Sequence, residues 1–386
     1  MSAVDERAGL ADSRLKVLMV VHRSDPGGTE AAFGRILGQL SAAQDLDLTI
    51  AFPTGGALAG SWEALAPHLD YEAGHLPVTW YPKSYAGWAY RRARFASAFK
   101  KAVAARRPAV VVSFTSVLTV PVEVCHQLGI PCIAYVREYV EPRFVRERLW
   151  RYLGAKADRL IAVSTPLAAD LEPYAPSRVR LVSDGVPLPR EMHAQQWPPE
   201  PPFVAFYGGY EPDKGGELFV RIAALVRHRI PAARFVFYGV PWPVQQSYAG
   251  SVRELASRLG LDGSIDFAQT REYAGTFGDA SLVVMPSVRE GLGLVAIEAM
   301  SYGVPVVATR VGGLTDVVDD GVTGALVAPG DADAFAAAAV GLLADTARLR
   351  EAGAQARLRV EGRFGIEQAA SGLKKTILEV AEGAKR

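Results

Sequence analysis

The stretch with the most chemistry in it is SLVVMPSVREGLGLVAIEAMSYGVPVVATRVGG, residues 281–313. An apolar run ends at Pro286–Ser287, a loop carries Arg289, Glu290, Gly291 and Gly293, and a helix is expected to begin near Leu294 and to carry Glu298 a turn further in. Glycines in such a loop let the backbone come close to a ligand. The first amides of the helix add unpaired donors and a partial positive charge suited to phosphate. Two carboxylates at different depths can hold two sets of hydroxyls on one ligand. The run Gly291-x-Gly293-x-x-Ala296 also matches the dinucleotide fingerprint. That fingerprint follows its strand at once and has an acid at the end of the next one. Here Val288, Arg289 and Glu290 intervene and the next strand ends in Arg310, which disfavours a dehydrogenase. By spacing alone, a tight turn with no ligand remains the bland alternative.

These residues need a frame, and the sequence supplies a regular one. LKVLMVVH (15–22), LDLTIAFP (46–53), AVVVSF (109–114), PCIAYVRE (131–138) and DRLIAVST (158–165) read as strands separated by amphipathic stretches. The rhythm restarts with FVAFYGG (203–209), ARFVFYG (233–239), SIDFAQ (264–269), SLVVMPS (281–287), VPVVATR (304–310) and GALVAPG (324–330). Near-continuous β-branched runs suit strands covered on both faces, and alternation with helices argues for parallel sheets. Between the two halves, PLPREMHAQQWPPEPP (187–202) holds six prolines and no apolar period, so it reads as a linker. The expected class is α/β, with an N-terminal domain over 1–190, a C-terminal domain over 200–365 and a last helix at about 366–386 able to pack back on the first domain. Two such sheets would face one central cleft, and ligands bind outside the carboxyl ends of their strands.

The chain has 386 residues with 42 basic and 41 acidic side chains, a net charge of +1, which speaks against a general nucleic-acid binder. The two cysteines, Cys125 and Cys132, match no metal motif and no disulfide framework, so a reduced, cytoplasmic protein is the simplest expectation. The segment MSAVDERAGLADSR lacks an apolar core and does not read as a signal peptide.

The longer pattern is more specific than its parts. Glu290, seven residues, Glu298, then AMSYGVPVVA (299–308), Gly312-Gly313 and Asp319-Asp320-Gly321-x-x-Gly324 resembles the retaining glycosyltransferases of family 4, which have the GT-B fold of two Rossmann-like, doubly wound domains. PGGTE (26–30), ADRLIAVS (157–164) and Asp213-Lys214-Gly215 carry the same resemblance. It implies a nucleotide-diphosphate-sugar as donor substrate, with no separate cofactor. By the same resemblance Glu290 would hold the donor sugar and Glu298 the ribose. The backbone at Gly291, Gly293, Leu294 and Val295 would hold the distal phosphate, and Lys214 would neutralise the diphosphate. Gly27 and Gly28 would face the phosphates and the acceptor.

Two departures stand out. The family's Gly-Arg-Leu before Asp-Lys-Gly is here Gly208-Gly209-Tyr210, so one phosphate-binding cation is missing and Arg289 is the candidate substitute. Where many members place a histidine near the donor sugar, this chain has Arg137-Glu138. The catalytic candidates are therefore Glu290, Lys214, Arg137 and Glu138. No metal site is expected: Asp45-x-Asp47 sits between a helix and a strand, Asp331-x-Asp333 opens a helix where aspartate is a favoured cap, and the six histidines show no ligand spacing. TWYPKSYAGWAYRRARF (79–95) and PRFVRERLWRYLGAK (142–156) read first as loop and solvated helix faces, and second as an acceptor platform or a membrane-surface contact at the inner face of the membrane.

The reading is thus a retaining, metal-independent glycosyltransferase acting on a glycan, glycolipid or small natural product, with no nucleic-acid partner and no indication of oligomeric state. Its rivals are a nucleotide-sugar epimerase or hydrolase of the same fold and a non-catalytic nucleotide-sugar-binding protein.

Overall fold

The computed structural model describes residues 14–53, 55–71, 85–190, 197–270 and 276–384. Residues 1–13, 79–84 of the first aromatic-basic stretch, 191–196 of the proline-rich segment, and His75 and His193 lie outside the described residues. The chain divides into two compact units, one comprising Met1–Gly185 with Ile366–Arg386 and the other Val186–Gly365.

In the first unit, β1 (Leu15–Val20), α1 (Gly28–Ser41), β2 (Leu46–Pro53), α2 (Ala59–Glu63), β3 (His68–Tyr71), α3 (Tyr85–Arg106), β4 (Val110–Ser113), α4 (Thr119–Leu128), β5 (Cys132–Val136), α5 (Arg143–Lys156), β6 (Arg159–Ala162), α6 (Thr165–Leu171) and β7 (Val179–Leu181) alternate. The seven strands are ordered β3-β2-β1-β4-β5-β6-β7, and the pairings β1 with β2 and β1 with β4 are parallel. Every residue of β4 and β5 is buried, as continuous β-branched runs between two helical layers should be. Phe114 packs edge-on to Phe33 at 5.2 Å and to Tyr135 at 4.8 Å between ring centres.

In the second unit the order of elements is β8 (Phe203–Tyr207), α7 (Gly216–Arg229), β9 (Arg234–Tyr238), α8 (Gln246–Arg258), β10 (Ile265–Ala268), β11 (Leu282–Met285), α9 (Leu294–Ser301), β12 (Val306–Thr309), α10 (Leu314–Val317), β13 (Gly324–Val327), α11 (Ala332–Leu343) and α12 (Thr346–Arg363). Its six strands run β10-β9-β8-β11-β12-β13. Both sheets therefore reverse direction beside their first strand, between β1 and β4 and between β8 and β11, which is where ligands sit in open α/β sheets.

The chain then returns as α13 (Ile366–Gly383), which packs on α1 and across β4 and β5 of the first unit. Lys374 of α13 meets Asp45 at 2.7 Å.

Two features differ from the sequence reading. The edge strands β3 and β7 were not expected: HLDY and VRL are short, polar and paired on one side only, so they lack the apolar run that marks an inner strand. The described part of the proline-rich segment is also more than a linker. Trp197 is buried and donates from Nε1 to the Ala280 carbonyl at 2.8 Å, and Pro189 O accepts from Arg357 at 3.3 Å, so the division falls at Gly185–Val186.

Candidate active site

In the second unit the site is built where β8 and β11 end. After β8 the chain passes through Gly208, Gly209 and Tyr210 into a single helical turn, Pro212–Lys214. Gly215 follows with φ +78, and a Cβ there would lie 2.2 Å from the Pro286 carbonyl oxygen. That glycine lets the turn close against the exit of β11, and the closure is fixed by Val288 N donating to Asp213 O at 2.8 Å. Lys214 Nζ thereby comes within 2.9 Å of Glu290 Oε2, while Ser287 Oγ lies 3.4 Å from the same oxygen. The Glu290 carboxylate raises the Lys214 pKa above its ordinary value, outweighing the opposing effect of burial. Arg289 pairs with Asp213, so the expected substitute cation is engaged by a carboxylate.

The glycine loop above this pair is held from beneath. Gly293 adopts φ +101 and caps α9. Gly313 donates to Glu290 O at 3.1 Å. A Cβ on Gly313 would stand 2.4 Å from both Gly291 O and Leu292 Cα, so the second glycine pair fixes the path of the first. Leu294 and Val295 open α9, where the helical ladder leaves backbone amides without intrahelical partners. Glu298 sits a turn further, half-buried. Sequence reasoning named Asp213 and Ser287 without giving either a role, and it missed the ring pair Tyr207–Tyr238, stacked at 4.6 Å on the ends of β8 and β9.

In the first unit, Gly27 and Gly28 open α1, with Gly27 in extended backbone. Space explains Gly27: a Cβ there would lie 2.3 Å from Glu30 Oε2, so the glycine makes room for a carboxylate folded back over the helix start. Glu30 is only 3% exposed, its Oε1 stands 3.8 Å from His22 Nδ1, and burial raises its pKa above 4.5. A carboxyl that is protonated more readily in the folded state adds stability that is complete below the ordinary value and is lost as pH rises through the raised one. Glu30→Gln is expected to remove that loss. Thermal unfolding against pH checks it, and parallel profiles for parent and variant would refute the assignment.

Arg137 and Glu138 follow β5 but do not act as one pair. Glu138 accepts from Thr115 Oγ1 at 2.7 Å and from Ser116 Oγ at 2.8 Å. The Arg137 side chain is 4% exposed and is ion-paired with the equally buried Asp184. It also stacks over Phe114 at 4.7 Å and Tyr135 at 5.1 Å. The expectation of a sugar-facing arginine thus meets a side chain turned into the core. Asp184 had no sequence signal, because its partner is 47 residues away.

Among the described residues no group of three His, Cys, Asp or Glu side chains could hold a metal ion. Asp331 Oδ1 accepts from Ala334 N at 2.9 Å as a helix cap. Cys125 and Cys132 are buried free thiols, and no helix among the described residues is long and apolar enough to cross a membrane.

Two family models divide the chain between them. Glycosyltransferase Family 4 matches residues 26–190, spanning the Gly27–Gly28 turn and Arg137, and Glycosyl transferases group 1 matches 201–345, spanning Lys214, Glu290 and Glu298. One model matches each unit, and together they mark the chain as one of the family 4 type. Among relatives, a D-inositol 3-phosphate glycosyltransferase of Mycolicibacterium paratuberculosis is 37% identical over 202 residues, covering 49% of this chain and 45% of that protein. One of the same name from Nocardia farcinica is 35% identical over 235 residues, covering 57% and 52%. The chain thus aligns with about half the length of these relatives. Among solved structures, sucrose-phosphate synthase from Thermosynechococcus elongatus superposes with a TM-score of 0.78 at 24% identity over 96% of this chain and 100% of that one. HepE of Anabaena in complex with UDP-glucose gives 0.79 at 18% identity over 95% and 100%. At these identities the likeness is one of fold, and it gives this chain the two-sheet GT-B architecture.

Proposed function

We propose that this chain, of the family 4 type, transfers a sugar from a nucleotide-diphosphate donor to an acceptor hydroxyl with retention of anomeric configuration. The observation that carries the reading is the Lys214–Glu290 contact of 2.9 Å under a glycine loop that opens α9. An ammonium and a carboxylate then meet at the switch point of one parallel sheet, on the loop that leads into the start of α9. The amides and Lys214 take up charge as the diphosphate leaves, an effect that grows toward the transition state. Glu290 holds the sugar hydroxyls and so orients the reacting carbon. Glu298 holds the ribose, which does not change during transfer. With no nucleophile and base paired at this site among the described residues, the departing phosphate oxygen is the natural acceptor for the incoming hydroxyl's proton, on the same face of the sugar.

The first donor to test is UDP-glucose, because a protein of the same fold is known in complex with it. The first acceptor is an inositol phosphate, because the named relatives act on one. Transfer is expected to survive exhaustive chelation, and proton NMR of fresh product should show the donor's anomeric configuration. Activity lost to chelation and restored by magnesium, or an inverted product, would overturn the mechanism. Full-rate nucleotide release without acceptor would indicate a hydrolase, and donor binding without turnover a sensor.

A further inference from the structure

We propose that the face of the first unit formed by α3, α4 and α5 docks on an anionic lipid bilayer. Residues 85–156 hold 13 basic and 4 acidic side chains, a net of +9, which leaves −8 on the rest of a chain whose total is +1. α3 carries six basic residues and no acid, and α5 carries five against Glu147 alone. α4 touches both helices, so the three lie side by side on one layer of the sheet.

The acids in this region are all engaged. Glu147 pairs with Arg143 at 2.6 Å, Glu141 with Arg146 at 2.7 Å and Glu123 with Lys156 at 2.9 Å. Tyr152 also donates to Glu123, and together these contacts hold that carboxyl down at about 2. Glu138 is turned toward Thr115 and Ser116. The charge left facing outward is positive.

Its arrangement is the second observation. On α5, Phe144, Arg148 and Arg151 are exposed at i, i+4 and i+7, one stripe of a helix. On α3, Tyr90, Arg94 and Lys101 are exposed at i, i+4 and i+11, again one stripe. Tyr90 is 63% and Phe144 66% exposed, far more than rings of that size are in a covered face. Both helices return from the carboxyl edge of a parallel sheet, so they run the same way and bring their ring ends to the same edge. An apolar ring with cations behind it on a broad helical face suits insertion at the headgroup boundary with lysines and arginines over anionic lipid. A single-stranded nucleic acid would instead want a groove lined with successive rings.

The test uses the full chain and does not depend on the transferase reading, because its readout is vesicle flotation and not sugar transfer. Vesicles of phosphatidylcholine and phosphatidylglycerol in equal parts should bind the protein, vesicles of phosphatidylcholine alone should not, and salt should weaken the binding. Each of Arg94→Glu, Lys101→Glu, Arg148→Glu and Arg151→Glu should weaken it about fivefold or more. Phe144→Ser and Tyr90→Ser should leave a weaker, more salt-sensitive residue of binding. Unfolding temperature and nucleoside-diphosphate affinity in all variants should match the parent, which keeps misfolding apart from lost docking. Absence of binding, equal binding to both vesicles, or preference for a single-stranded oligonucleotide with vesicles ignored would overturn the proposal.

Discussion

Replacing Glu290 with glutamine is expected to lower the maximal transfer rate roughly ten- to a hundredfold, since a hydrogen bond to a charged group is worth about 1.5–3 kcal/mol. The same change should not weaken free nucleoside diphosphate. In the free site the Glu290 carboxylate neutralises Lys214 at 2.9 Å, so losing its charge leaves the ammonium more available to phosphate. Lys214→Ala should fail the other way. It removes the phosphate's cation and leaves Glu290, whose side chain is 14% exposed, as an uncompensated negative charge beside it. Nucleotide affinity should then fall by at least the roughly tenfold that one charged hydrogen bond carries, because repulsion adds to the lost contact. Glu298→Gln completes the set: it should raise the Michaelis constant and weaken free nucleotide while largely sparing the maximal rate. Calorimetry with nucleoside diphosphate separates the three. Weaker nucleotide binding in Glu290→Gln, or unchanged binding in Lys214→Ala, would show that the pair does not divide sugar from phosphate in this way.

Arg137→Ala is expected to have its largest effect on folding. It leaves Asp184, fully enclosed, without its counter-ion, and breaking a buried pair from one side costs about 3–5 kcal/mol. For a unit of this size each kcal/mol moves the midpoint by about 2–4 °C, so a fall of roughly 10 °C is expected. Glu138→Ala removes only contacts to Thr115 and Ser116 and should cost far less. The double change Arg137→Met with Asp184→Leu should recover most of the loss, because replacing both members by apolar groups is often neutral. If instead Arg137→Ala keeps the parent's melting temperature and loses turnover, the arginine faces substrate, as its place after β5 had suggested.

The legibility of this protein from sequence follows the range of the interactions involved. Apolar runs such as Val110–Val112 and Ile133–Val136 announce inner strands, because a strand covered on both faces must be apolar throughout. Glycines that must accept φ near +80 to +100, as Gly215 and Gly293 do, mark turns in the sequence because few other residues take that backbone. The spacing from Glu290 to Glu298 is local, so the site's loop and helix could be placed from residue order alone. β3 and β7 could not, because an edge strand is defined by its neighbour and not by its own composition.

What only the tertiary structure decided is which distant groups meet. Lys214 and Glu290 are 76 positions apart, and Arg289 is taken by Asp213 over the same separation. Gly27 reads from sequence as a ligand-facing glycine, and only the fold shows that the Glu30 carboxylate lies beside it, 2.3 Å from where a Cβ would stand. Arg137 reads as a catalytic cation until Asp184 is found beside it in the core. Residue types fix what each group can do, but burial and pairing fix its charge and its availability, and both are set by chain segments that the local sequence does not contain.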